Sequence, residues 1–217
     1  MSSKIRPLYC TIFQELRDRI VYGQYSPGTS LPEKDLCEEF NVSRTPLREA
    51  LLKLQDMKLV TVIPRFGTTV TPVDINEIRC SFEVKIELEG LAGKLAAERI
   101  KPDKLEELDA VINEAALLLK GDGSQRHQRL IAIEGRFHEI IRQATQNLVL
   151  QEMLDNLHYR CARLWSSALS DVVPDEEILD QMRKVYVALQ EGDSKAARAH
   201  MEEHVQYFIE RIKKVLL

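Results

Sequence analysis

The sequence predicts a mostly α-helical fold in two parts: a small head of three helices plus a β-hairpin, then an all-α body of six helices. Three observations carry this expectation. Apolar residues recur at helical spacing through most of the 217-residue chain. β-Branched runs cluster only at Leu59–Ile63 and Thr68–Thr71. Nine glycines and eight prolines are too few for a many-turned all-β fold.

Composition narrows the class. Hydrophobic residues make up 44% of the chain and charged residues 29%, as in ordinary water-soluble domains. Apolar runs such as Ala115–Leu119 are far too short to span a bilayer, and residues 1–7 do not lead into a signal-peptide core. Cys10, Cys37, Cys80 and Cys161 form no CxxC pair, which argues against a disulfide framework or thiolate zinc site and for a reduced, cytoplasmic setting. The net charge of −4 hides an asymmetry. Residues 1–72 carry 10 basic against 8 acidic side chains, whereas residues 73–217 carry 20 against 26. Affinity for phosphate follows the local patch rather than the average, so the head remains a candidate for nucleic acid.

In the head, Leu8, Ile12, Leu16 and Ile20 mark an amphipathic helix from about Leu8 to Tyr22, stopped by Gly23. Ser26-Pro27-Gly28-Thr29 is a turn, and Ser30-Leu31-Pro32-Glu33 fits a capping box for a short helix ending at Phe40. Asn41 suits the left-handed position that closes it. The next helix opens within Val42-Ser43-Arg44-Thr45-Pro46, with Ser43 or Thr45 as cap, and buries Leu47, Leu51 and Leu54. Arg44, Thr45 and Arg48 then lie near its outward N-terminal end. The β-branched runs flank Pro64-Arg65-Phe66-Gly67, a hairpin tip.

This order is that of a winged helix-turn-helix. An exposed helix N-terminus suits a phosphate, two arginines one turn apart can reach guanine edges in the major groove, and Arg65 can enter the neighbouring minor groove. A winged head can also dock on protein, which is the alternative reading from spacing alone.

The string Val42-Ser43-Arg44-Thr45-Pro46-Leu47-Arg48-Glu49-Ala50-Leu51, with Pro27–Leu31 and Pro64–Gly67, resembles the head of bacterial GntR-type transcription regulators. The resemblance implies operator contacts from Lys34, Arg44, Arg48 and Gly67. With Ser43, Thr45 and Arg65 these are the DNA-binding candidates, and double-stranded operator DNA is the expected partner.

The body breaks at Pro102, Gly121-Asp122-Gly123, Asn147, Pro174 and Gly192, giving six helical stretches joined by short loops. Asp74 and Glu77 can cap the first, and Asp193 or Ser194 the last. The informative positions are polar groups on apolar stripes: Leu130, Glu134, Phe137, His138 and Ile141 on one helix, and Ala197, His200, Met201, His204 and Phe208 on the last. Glu134 and His138 are one turn apart and share a side. Buried there, they need partners. Those partners are a divalent metal held by Glu134, His138 and a histidine from another helix, or a hydrogen bond within the core. A general base at His138 is a third reading, with no nucleophile motif or phosphate loop to accompany it. The chain is expected not to be an enzyme.

The body also resembles the FCD-type effector domain of the FadR-like GntR subgroup. Lys85–Glu89, Phe137-His138 with Gln146-Asn147, and Ala188–Asp193 leading to Met201–His204 carry the likeness. It implies a homodimer on a palindromic operator, no membrane, and a small-molecule effector bound in residues 73–217. Many members hold a divalent ion such as zinc, nickel or manganese with one acid and three histidines. Here the acid falls on Glu134 and two histidines on His138 and His204, but the middle histidine falls on Met182, a weak thioether ligand. Three readings stay open: a metal held weakly by three protein ligands with effector and water, His200, one turn from His204, as the substitute nitrogen, or an effector bound directly without metal. Lys85 stands where the family has an arginine facing the effector, and offers a carboxylate a point charge instead of a fork. Lys85, Glu134 and His138 are the effector-binding candidates. The alternative for Lys85 is a solvated lysine paired with Glu89. The domains are expected at 1–72 and 73–217.

Overall fold

In the computed structural model the described residues are 7–63, 66–121, 126–168 and 175–216, with backbone alone at 75, 127–128, 162–168, 175 and 211–216. They form nine helices and one two-stranded antiparallel sheet, as the sequence predicts. The chain divides into two compact units: residues 1–78 with 159–167, and residues 79–158 with 168–217.

The first unit holds α1 (Leu8–Val21), α2 (Glu33–Phe40), α3 (Arg44–Asp56), β1 (Val60–Ile63) and β2 (Gly67–Val70). Its core joins Ile12, Leu16 and Ile20 of α1 to Leu36 of α2, to Leu47, Leu51 and Leu54 of α3, and to Val60 and Val70 of the hairpin. Asn41 ends α2 at φ 51°, and its amide bonds back into the last turn. The capping box at Ser30 does not form: Pro32 is the N-cap of α2 and no side chain caps it. Ser30 instead bridges Thr69, and the Leu31 amide donates to the Thr68 carbonyl at 2.8 Å. Pairing with the wing uses the segment that a local capping motif would have claimed. Residues 159–167 join this unit through Tyr159, whose ring lies 4.6 Å beneath the Arg17 guanidinium and whose hydroxyl accepts from Arg17 Nη1 at 3.0 Å.

The second unit takes α4 (Ile75–Arg99) from residue 79 on, α5 (Pro102–Leu119), α6 (Arg126–Ala144), α7 (Leu148–Ala168) apart from residues 159–167, α8 (Asp175–Gln190) and α9 (Ser194–Leu216). The Asp74 carboxylate accepts from the Asn76 and Glu77 amides at the start of α4, and Asp193 does the same for Lys195 and Ala196 at α9. Helix α8 packs on α5 and α9, and α6 packs on α5. Gly90 and Gly93 let α4 approach α9 closely, because a Cβ on Gly93 would sit 2.6 Å from the Ala197 carbonyl oxygen. Leu108, Leu130, Phe137, Ile141 and Met201 fill the interior. Among the described residues no helix is long and apolar enough to cross a membrane.

Candidate functional site

On the head, the N-cap of α3 is Ser43, in an extended conformation with no side-chain bond to the first-turn amides. Those amides have no intrahelical acceptor, so the exposed end of α3 is suited to an anion. Ser43, Arg44, Thr45 and Arg48 are all exposed there. Arg48 Nε lies 3.0 Å from a Glu33 carboxylate oxygen with 60% of its side chain exposed, so the arginine is held by an acid across the turn. Lys34, 80% exposed, is 3.9 Å from Glu38. Gly67 is exposed at φ 111°, a conformation that favours glycine, and begins β2. Arg65 lies outside the described residues.

The body's polar residues meet in its interior. Helix α6 presents Glu134 and His138 one turn apart, and α9 brings His204 to the same place. One oxygen is the focus: Glu134 Oε1 lies 2.9 Å from His138 Nε2 and 3.3 Å from His204 Nε2. Behind each imidazole stands another oxygen. His204 Nδ1 lies 2.9 Å from Gln181 Oε1, and His138 Nδ1 lies 3.1 Å from Glu89 Oε1. Glu89 is fully buried on α4 and is 3.0 Å from Lys85 Nζ, one turn earlier. Lys85 is therefore paired as its spacing suggests, but buried rather than solvated. Arg142, one turn beyond His138, lies 2.9 Å from Asp155 Oδ1 of α7 and 3.9 Å from Glu89.

This network sets protonation. Burial opposes ionisation of Glu89, but His138, Lys85 and Arg142 outweigh it and hold the carboxyl well below its usual range. Burial likewise opposes ionisation of Glu134, and His138 and His204 overcome it. Burial disfavours charge on His138, yet the two carboxylates, Glu89 first and then Glu134, raise its pKa. His204 and His158 are pushed down, first by burial, then for His158 by Arg142.

The residues fit a divalent ion. A neutral His204 can donate to only one of its two oxygens: when Nδ1–H goes to Gln181 Oε1, the Nε2 lone pair faces the Glu134 carboxylate oxygen, two acceptors face to face. A cation between them resolves the conflict. Both imidazoles present Nε2 inward and Nδ1 toward an oxygen, the arrangement by which outer partners fix metal-ligand histidines. Ligand atoms on a tetrahedral ion lie roughly 3.3 Å apart when each bond is about 2.05 Å; the Glu134–His204 spacing is 3.3 Å, and the Glu134–His138 spacing of 2.9 Å, a hydrogen-bond length, would have to widen. Glu89 Oε1 and His138 Nδ1 sit in ion-pair range without an aligned hydrogen bond, and Glu89 Oε2 is buried without one, which leaves the network room to reorient.

The structure brings Glu134, His138 and His204 together and leaves out His200, which is turned toward Glu203 at 3.5 Å on its own helix. Met182 is fully buried on α8. The sequence pattern does not single out Arg142, Gln181 or His158, and it marks Glu89 only as a partner for Lys85. His158 had a usable signal, since it lies on the stripe of Leu154, Leu157 and Cys161 along α7.

A winged helix-turn-helix with an open recognition-helix end, joined to a helical unit with a buried polar cluster, is the architecture of a DNA-binding transcriptional regulator. Residues 8–70 match the gntR family of bacterial regulatory proteins and residues 80–207 match the FCD domain. The chain belongs to this family, the gntR regulators that carry an FCD domain. It is 25% identical over 210 residues to the HTH-type transcriptional repressor RspR of Escherichia coli K12, covering 97% of this chain and 91% of that one. It is 28% identical over 195 residues to the HTH-type transcriptional regulator McbR of the same organism, covering 88% and 86%. The solved structure of E. coli McbR/YncC superposes with a TM-score of 0.83 at 26% identity, over 99% of both chains. These relatives are transcriptional regulators rather than enzymes, and FCD domains bind metals or small ligands.

Proposed function

We propose that the chain is a homodimeric, ligand-responsive regulator, with residues 1–72 reading a palindromic operator and residues 73–217 binding a small metabolite. Lys34, Ser43, Arg44, Thr45, Arg48, Arg65 and Gly67 make the DNA contacts, with Arg44 and Arg48 entering the major groove. A divalent ion held by Glu134, His138 and His204 completes the sensing site. That ion supplies a positive centre for an anionic effector. Lys85, paired with Glu89, lines the same site, and the effector is a small carboxylate able to ligate that ion.

The observation that supports this best is the convergence of two imidazole Nε2 atoms on one carboxylate oxygen, with oxygens behind both rings. Because Lys85 and Arg142 are already matched by Glu89 and Asp155, an anion gains little from them alone. The added cation supplies the charge that attracts it.

The test is operator binding by fluorescence anisotropy on DNA selected from random sequence, with metal-free and zinc-loaded protein, across a panel of small carboxylates. A carboxylate that shifts operator affinity by about 5–150-fold only with metal present supports the reading. Equal affinity in every condition contradicts it. A second reading, a metal-free core hydrogen bond, draws on the 2.9 Å His138–Glu134 contact. It predicts that added zinc leaves thermal stability unchanged.

A further inference from the structure

The triad leaves one ligand short, because the position that resembles the family's middle histidine is Met182. We infer that His158 on α7 takes its place, so that this chain binds a divalent ion through Glu134, His138, His204 and His158. The inference rests on the metal reading above and names a donor that this reading does not contain.

The register of two helices carries it. Arg142 of α6 meets Asp155 of α7 at 2.9 Å. One turn back along α6 is His138, and one turn forward along α7 is His158, so antiparallel neighbours bring the two histidines level. Their ring centres are 6.1 Å apart, tilted by 45°. The pair His138 and His204 stands at 5.2 Å. Two imidazoles sharing a tetrahedral ion through bonds of roughly 2.0–2.1 Å have ring centres about 5 Å apart. His138 and His204 are therefore already at the spacing of co-ligands. His158 stands roughly 1 Å wider from His138 and outside the three residues whose donor atoms lie within 4.8 Å of one another, so its ring has to turn about χ1 and χ2 to reach the ion.

The rival donors fit less well. His200 shares α9 with His204 but faces Glu203, and a third of its side chain is exposed. Met182 offers a soft neutral sulfur to an ion that prefers nitrogen and oxygen. Gln181, its neighbour, serves from behind through His204 Nδ1, so α8 contributes an outer partner while α7 contributes the donor.

The experiment uses the full chain, stripped of metal and reloaded with zinc or cobalt(II). X-ray absorption counts the imidazoles on the ion, and competition with a chromophoric chelator gives affinity. Wild type should show three imidazoles and no sulfur. His158→Asn should show two, and should lose more affinity than the roughly 10–100-fold expected when only an outer-shell partner is removed. Its metal-free melting curve reports folding, and the wild-type count stands without the variant. Two imidazoles in wild type, a sulfur ligand, or an unchanged count in a folded His158→Asn overturns this inference alone, provided His138→Ala abolishes binding. No uptake of zinc or cobalt by wild type overturns the metal reading and this inference together.

Discussion

The head and the body place their functional side chains in opposite environments. On the head, Lys34, Arg44 and Arg48 stand in water, and the acidic partners of Lys34 and Arg48 are surface contacts of the kind worth about 0–1 kcal/mol. In the body, Glu89, His138 and His204 are buried, and each charge is held by another. A surface reader of phosphate and base edges depends on charge that remains available, so its residues separate cleanly from those that fold it. A buried polar cluster has no such separation. Glu89 holds Lys85, His138 and Arg142, so altering it disturbs the site and the core together.

The largest effect that would sharpen this contrast is Glu89→Gln. It strands buried cations beside a neutral amide and should lower folding stability by about 3–5 kcal/mol in chemical denaturation. A loss under about 1 kcal/mol would break the contrast. Acid should act in the same direction. The folded Glu89 carboxyl titrates well below its ordinary 4.5, so its stabilisation is full above that pH and fades as pH falls toward the folded value. The Glu89→Gln variant should lack that part of the acid dependence.

Arg44→Ala comes next. It should cost about 1–3 kcal/mol of specific operator affinity while leaving stability within about 0.5 kcal/mol, by anisotropy and melting on one preparation. An equal loss on operator and random DNA would reassign Arg44 from base to backbone contact. Gln181→Leu should weaken metal binding by about 10–100-fold through the freed His204 ring, read by chelator competition. The smallest change is Glu33→Gln, which releases Arg48 and should tighten operator binding by a few tenths of a kcal/mol, most at low salt.

The same contrast governs what the sequence could disclose. Helices and hairpin were legible because period and punctuation are local: Asn41 closes α2, Asp74 and Asp193 start α4 and α9, and β-branched runs flank the wing tip. The capping box at Ser30 misled because tertiary pairing with Thr69 overrode a local motif. Glu134 and His138 were legible as a site because one helix carries both. His204 was legible as a polar break in an apolar stripe. Glu89, Gln181 and His158 come from three further helices, and periodicity along each does not report which neighbour it faces. The pairing of Lys85 with Glu89 was visible in the one-turn spacing, but its burial was a property of the packed unit.

Metal stoichiometry tests the central claim most directly, that the body and not the head carries the ligand-responsive site. Native mass spectrometry on protein purified without chelator or a nickel-leaching tag would count ions on wild type, His138→Ala and Arg44→Ala. The account predicts one divalent ion per chain in wild type and Arg44→Ala, and none in His138→Ala. No ion on wild type after addition of zinc, nickel or manganese, or an ion retained by His138→Ala, would contradict it.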